Sequence, residues 1–228
     1  MKKALFIASA VAATALFAIE SNEISFLPVT PVGSTSNLKL LAVPFNGYGT
    51  GDSESISVAD VLLTDGLANG DKLYIPTDEK GKYNQYLLSN GTWEPAKVVT
   101  VSGSDITAGQ ADSSGEATIA RGQAFWIETE ATNVKLLGQA ATQTKTEKTL
   151  AVGYQLLAPT TSENAIQVNQ LGGAKGDLIL LADGTRYQKT ASGWKNVATR
   201  AAVENSVVIQ PGVGFWYKAM GLGGKISL

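Results

Sequence analysis

The sequence predicts an all-β protein built from two tandem, duplicated small modules of sandwich or barrel type, with at most short helices. Three observations predict it. Apolar residues alternate with a period of two over most of the chain, turn-forming dipeptides separate the alternating runs, and four sequence elements occur twice in the same order.

Taken in order, residues 1–18 read as a secretory signal peptide. Lys2 and Lys3 open it, Ala4 to Ala13 supply a short apolar run, and small residues offer cleavage after Ala15 or Ala18. The run falls short of the roughly 20 apolar residues of a membrane helix, and no later stretch approaches that length. With no Cys in the chain there is no thiol to carry a lipid anchor. Glu20 is not followed by the long apolar helix of a pilin. The expected location is therefore secreted, extracellular or at the cell surface, with no membrane span. Loss of Lys2 and Lys3 lowers Lys plus Arg from 18 to 16 against 20 Asp plus Glu, so the net charge moves from −2 to −4. Such a chain has no basic stripe with which to displace counterions from nucleic acid, and no nucleic-acid partner is expected.

Residues 19–35 form an N-terminal strand segment. Its "NEISFLPVTPV" (22–32) either closes the chain's own sheet or pairs with the sheet edge of a neighbour. The first β module follows over 36–140 and the second over 141–228. "SNLKLLAVPF" (36–45), "DKLYIPT" (71–77), "NVKLLGQ" (133–139) and "GDLILLADG" (176–184) read as strands. Asn90-Gly91 and Asp183-Gly184 read as hairpin turns, because a type I′ turn needs positive φ at both central positions. Only "SVADVLLTDGL" (57–67), capped by Ser57, and "NAIQVNQLG" (164–172), capped by Asn164, suit a helical turn or two.

The duplication rests on four pairs: Leu40-Leu41-Ala42 with Leu156-Leu157-Ala158, Gly70-Asp71 with Gly176-Asp177, Tyr86…Trp93 with Tyr187…Trp194, and Gly122-Gln123-Ala124-Phe125-Trp126 with Gly212-Val213-Gly214-Phe215-Trp216. The offset shrinks along the chain, so the first copy carries extra residues. They fall in "NGYGTGDSES" (46–55) and "SGSDITAGQADSSGEAT" (102–118), which read as polar loops where insertion is tolerated and function concentrates. The seam, "ATQTKTEKTLAVG" (141–153), reads as a strand rather than a slack linker.

The elements "GYQLLAP", "GDLILLADG", "YQKTASGW" and "PGVGFWYK" resemble the signature of an uncharacterised family of secreted bacterial β modules, LLxxP … GD … Y…W … GxGFW, present here in two copies. The first copy departs from it, with Lys39 in place of an aromatic and "RGQAFW" lacking the second glycine. The resemblance implies an exported, surface-associated β module with no established enzymatic role, and it carries no catalytic residue over.

The absence of His and Cys removes Ser-His-Asp and Cys-His catalysis together with zinc and iron–sulfur sites. Carboxylate pairs such as Asp52 with Glu54, or Glu128 with Glu130, are what remains for a glycoside hydrolase, and both read as solvated. No catalytic residue and no metal ligand is therefore assigned. Calcium is the one cofactor left open, at "TDGLANGD" (64–71) and "NGYGTGDSE" (46–54), where Asp-Gly is foremost a turn former.

The tryptophans divide into two groups. Phe125, Trp126, Phe215 and Trp216 read as structural core, with one ring of each doublet inside and its neighbour exposed or covered by another layer. Burial of one such ring contributes roughly 2–3 kcal/mol, reason enough for the motif to occur twice. Trp93 and Trp194, with Tyr86 and Tyr187, lie beside hairpin turns and read equally as core or as exposed platforms for sugar rings. The functional expectation is a non-catalytic structural or interaction protein of the cell surface: a matrix, sheath or filament subunit, or an adhesin. Its partner would be itself, by strand exchange, or a surface glycan; a carbohydrate-binding module is the alternative.

Overall fold

The computed structural model describes residues 24–29, 37–44, 55–77, 79–102, 105–111, 115–139, 147–160, 165–222 and 224–228. The signal peptide, Asp52, Glu54, the 46–54 calcium candidate, Asn164 and the start of the seam lie outside them. Among the described residues no helix is long and apolar enough to cross a membrane, and no three acidic side chains group as metal ligands.

The fold is all-β. The N-terminal half contains β1 (Ile24–Val29), β2 (Leu38–Ala42), β3 (Ser55–Ser57), helix α1 (Val58–Val61), β4 (Leu62–Leu63), β5 (Lys72–Pro76), β6 (Lys82–Ser89), β7 (Thr92–Ser102), β8 (Asp105–Gln110), β9 (Thr118–Ala120), β10 (Ala124–Glu128) and β11 (Val134–Gln139). The C-terminal half contains β12 (Glu147–Thr149), β13 (Gly153–Leu157), β14 (Ile166–Gln167), a 3₁₀ turn (Val168–Gln170), β15 (Leu178–Leu180), β16 (Arg186–Thr190), β17 (Gly193–Asn196), β18 (Val208–Ile209), β19 (Phe215–Ala219) and β20 (Lys225–Ser227). The helical turns fall where the sequence places them, with corrected ends. Ser57 precedes α1 without a side-chain cap bond, and the 3₁₀ turn begins after Gln167.

The main sheet of the first half runs β2-β10-β5-β6-β7-β8, and that of the second runs β13-β19-β15-β16-β17. Smaller pairs complete each half: β3 with β9 and β1-β11-β4 in the first, β14 with β18 and β12 with β20 in the second. Alternation sorts the side chains. Leu41, Leu73, Phe125 and Ile127 point into one core, while Leu157, Ile179, Phe215 and Tyr217 point into the other. β1 pairs with β11 of its own chain, from Ile24 opposite Gln139 to Val29 opposite Val134. The N-terminal strand thus closes its own sheet.

Asn90 and Gly91 both hold positive φ, +50° and +80°, and join β6 to β7 as a type I′ turn. At the second predicted hairpin only Gly184 is left-handed, at +85°. Its N–H donates to the Leu181 carbonyl, while the Thr185 N–H binds the Asp183 carboxylate at 2.8 Å. Asp183 orders a wider turn there instead of sitting in a two-residue one.

Reciprocal contacts join the halves. Leu41 bridges Val213 and Leu157 bridges Gln123. The Ala42 N–H donates to the Gly212 carbonyl at 2.9 Å, and the Ala158 N–H donates to the Gly122 carbonyl at 3.0 Å. Between them lies a third apolar cluster of Leu40, Ala42, Ala124, Leu156 and Ala158, with Trp126 and Trp216 packed against it.

A candidate ligand-binding face

The platform reading of four aromatics gives way to burial. Trp93 and Trp194 are 7% and 2% exposed, Tyr86 and Tyr187 each 6%, and all four sit in the cores. The Trp194 indole N–H donates to the Leu171 carbonyl at 2.8 Å, and its ring meets Tyr217 edge-on at 6.1 Å. These rings have no free face to offer a sugar.

Of the four residues expected in the core, Phe125 and Phe215 are fully buried, whereas Trp126 and Trp216 are half-buried on the opposite face of their strands. Phe125→Ala is expected to cost about 3–5 kcal/mol, the range for large aromatic truncations in a core. Trp126→Ala should cost less, roughly 1–2 kcal/mol, because only part of its ring is withdrawn from water. Urea denaturation of both variants checks this order; equal losses would place Trp126 in the core as well.

The exposed part of Trp126 belongs to a transverse row of the main sheet. Strand register sets Trp126 between Leu40 and Tyr74, Tyr74 opposite Gln85, and Gln85 opposite Lys97. Trp126 and Tyr74 of this row lie on the floor of a trough of about 690 Å³, with Gln85 and Lys97 at its wall. Tyr83 and Glu128 also line it, while Asn37 and Leu38 at one end of the sheet and Ile106 and Ala108 at the other approach from its sides. A sheet whose first and last strands line one hollow is strongly curled, and a bulge in β7 helps to curl it. Tyr86 opposes Pro95 whereas Gln85 opposes Lys97, so Ala96 is the extra residue. That residue also reverses parity. Trp93 faces the core, and an unbroken strand would turn Lys97, Val99 and Val101 the same way; beyond the bulge they line the trough instead.

A polar chain fixes one wall. The Glu128 carboxylate accepts from Lys72 Nζ at 2.8 Å and from the Tyr74 hydroxyl at 2.7 Å, and Gln85 also bonds to Tyr74. The bond from Lys72, then that from Tyr74, holds the Glu128 carboxyl below its ordinary 4.5 against the opposing effect of burial. Glu128 is thus an ionised acceptor at neutral pH. Burial first, and the Glu128 bond second, push the Tyr74 phenol above its usual range, so it remains a neutral donor. Among the described residues Glu128 is the one carboxylate lining the trough, and Glu130 is exposed beyond the end of β10.

The acidic side chains of residues 64–71, where the sequence leaves calcium open beside plain turns, make contacts within the protein. Asp65 pairs with Lys135. The Asp71 carboxylate takes the Ala68 N–H at 3.0 Å and the Thr129 hydroxyl at 2.6 Å. Asp177 repeats the arrangement, taking the Ala174 N–H at 2.8 Å and the Tyr217 hydroxyl at 2.6 Å. Both Gly-Asp pairs therefore order turns, with their carboxylates occupied by protein donors.

The second half lines its hollow differently: Trp216, Tyr154, Gln155 and Leu180 border a space of about 670 Å³ together with Lys80, Lys82 and Tyr83 of the first half. Its corresponding row runs Leu156, Trp216, Leu180 and Arg186, and the Trp216 ring meets Tyr154 edge-on at 6.3 Å. β8, which walls the trough, has no counterpart in the five-stranded sheet of the second half. The structure makes 105–110 a strand where the sequence suggested a polar loop. Sequence reasoning missed Tyr74, Tyr83, Gln85 and Lys97; the signal in hand was the alternation of "DKLYIPT", which places Tyr74 on the face opposite Leu73 and Ile75. Comparison of the chain with known proteins finds no matching family model, no matching curated protein and no matching solved structure.

Proposed function

We propose that the chain is an exported, non-catalytic interaction protein of the cell surface, made of two copies of one β module, and that it works by holding a partner rather than transforming it. The observation that carries this reading is the trough: aromatic rings on its floor, a few ordered polar groups at its walls, and one carboxylate already engaged by two donors. That composition suits a binding site. Hydrolysis of a glycosidic bond, the minor alternative, uses two carboxylates about 5–10 Å apart across a cleft, and the described residues of the trough include one. The reciprocal contacts between the halves and their matching strand orders support the duplication.

Retention of the mature chain, beginning after residue 18, on the envelope fraction of the producing cells tests the reading. Retention that is saturable and weakened by Trp126→Ala is expected; turnover of a polymer, abolished by a single carboxylate substitution, would reject it.

Assembly by strand exchange is the second reading. It would exchange the pairing that β1 makes with β11 of its own chain for the same register on β11 of a second copy. A mature chain lacking residues 19–33 is expected to lose assembly in size-exclusion chromatography, or to melt earlier, while keeping its β circular dichroism. Wild-type assembly and melting of that chain reject strand exchange.

A further inference from the structure

We propose that the trough beside Trp126 is a site for a neutral saccharide chain, an inference that rests on reading the chain as an interaction protein. The floor supplies three aromatic rings, those of Trp126, Tyr74 and Tyr83, each with an apolar face and a polar edge. The walls supply a carboxylate acceptor at Glu128, an amide with both functions at Gln85 and an ammonium donor at Lys97. A sugar ring offers the complement: an apolar C–H face that stacks on an aromatic ring, and hydroxyls that each donate and accept. The volume of about 690 Å³ lies within the roughly 300–1,000 Å³ of small-molecule sites, so several sugar rings of a longer chain have room.

Other occupants fit less well. A hydrocarbon would strip water from Glu128 and Lys97 and return no hydrogen bond, which is costly. A polyanion would meet the ionised Glu128, whose ammonium partner Lys72 is already paired with it. A peptide strand adding to a sheet needs a free edge, but β10 lies between β2 and β5, and β5 between β10 and β6, so the main chain of the floor is already bonded on both sides. A second observation points the same way. In the half without a counterpart of β8, Leu180 and Arg186 stand in the row positions that Tyr74 and Gln85 hold here. That row keeps the tryptophan but not the phenol and amide beside it, although Trp216 and Tyr154 border a hollow of their own.

The test uses the mature chain against soluble oligosaccharides of glucose, xylose, mannose and N-acetylglucosamine by titration calorimetry, and against the envelope fraction before and after periodate or protease treatment. We expect binding to at least one oligosaccharide, weakened about tenfold or more by Trp126→Ala, the scale of an aromatic hot spot. Gln85→Ala should weaken it several-fold, and Arg186→Ala, in the other half, should leave it unchanged. Circular dichroism and melting confirm that each variant is folded. Envelope retention should survive protease, and should vanish after periodate where the retained polymer carries vicinal diols or be competed away by N-acetylglucosamine oligomers where it does not. Retention that survives periodate and is lost to protease overturns the saccharide while leaving the interaction reading intact. No retention on any fraction overturns both. Self-association through this face, dissolved by Trp126→Ala without any saccharide binding, overturns the proposal in favour of a second copy.

Discussion

Asp177→Ala is expected to lower the unfolding free energy by roughly 2–3 kcal/mol, most of it from the buried Tyr217 hydroxyl left without a partner and the rest from two part-buried N–H groups. The carboxylate is 2% exposed and accepts three hydrogen bonds, from the Tyr217 hydroxyl at 2.6 Å and from the Ala174 and Met220 N–H groups at 2.8 Å each. It therefore ties the turn before β15 to the middle and the end of β19. Gly173 completes the arrangement: a Cβ there would lie 2.2 Å from the Tyr217 hydroxyl oxygen, and its φ of +116° already favours glycine. Tyr217→Phe removes one donor and leaves the other two bonds in place, so it should cost about 1–2 kcal/mol. A chemical-denaturation midpoint for Asp177→Ala equal to that of the wild type would show that these bonds contribute nothing net.

The same pair gives the alkaline limb of the stability curve a definite sign. Burial first, and the bond to Asp177 second, push the Tyr217 phenol far above its ordinary value of 10. A phenol whose folded value is raised binds its proton more tightly in the native state. Its contribution is fully present below pH 10 and is lost as pH rises above it, at up to about 1.4 kcal/mol per pH unit. Tyr86 and Tyr187 are pushed the same way by burial. Stability should fall above pH 10 with a slope that is shallower in Tyr217→Phe, measured as the urea midpoint against pH. An unchanged slope in that variant removes Tyr217 from the cause.

The strands were legible because alternation is imposed by burial of one face. "KLYIP" and "LIL" each put their inward residues in a core as the period requires, whereas "LKLLA" is buried on both faces at Leu40, Leu41 and Ala42. Asn90-Gly91 was legible because few residue pairs tolerate positive φ twice. The platform aromatics were not. A tryptophan beside a hairpin turn looks the same in sequence whether its strand turns it in or out, and here Trp93 and Trp194 turn in. The trough was hidden for a sharper reason. Counting by twos from the buried Trp93 assigns Lys97, Val99 and Val101 to the core, and no residue type announces that Ala96 is a bulge. Register with β6 is a long-range fact, and it alone sends those side chains to the other face. Nor does the sequence tell that "DITAGQ" pairs with β7, since all six residues are exposed and show no apolar period.

The difference between "RGQAFW" and "PGVGFW" finds its explanation where the halves meet, and it yields the second large effect. Ala124 and Gly214 each precede the phenylalanine of a Phe-Trp pair and face each other in the apolar cluster between the halves. A Cβ built on Gly214 would lie 2.4 Å from the Ala124 Cβ and 2.9 Å from Leu40 Cγ, closer than real carbon atoms approach. There is room for one methyl group at this contact and not for two. Gly214→Ala should therefore destabilise by about 1–3 kcal/mol, the usual range for overpacking. Its negative φ leaves backbone strain out of the account, because Gly214 is absent from the left-handed set. The double variant Ala124→Gly with Gly214→Ala moves the methyl group to the other side of the contact and should recover most of the loss. Leu40 retains some crowding there that a rotamer change can relieve. Ala124→Gly alone should cost about 1 kcal/mol, from one lost buried methyl and a freer unfolded chain. The two single losses then sum to more than the loss of the pair, an interaction energy that a double-mutant cycle in urea measures directly. Strict additivity would mean that the two residues do not touch, and the contact between the halves would have to be redrawn.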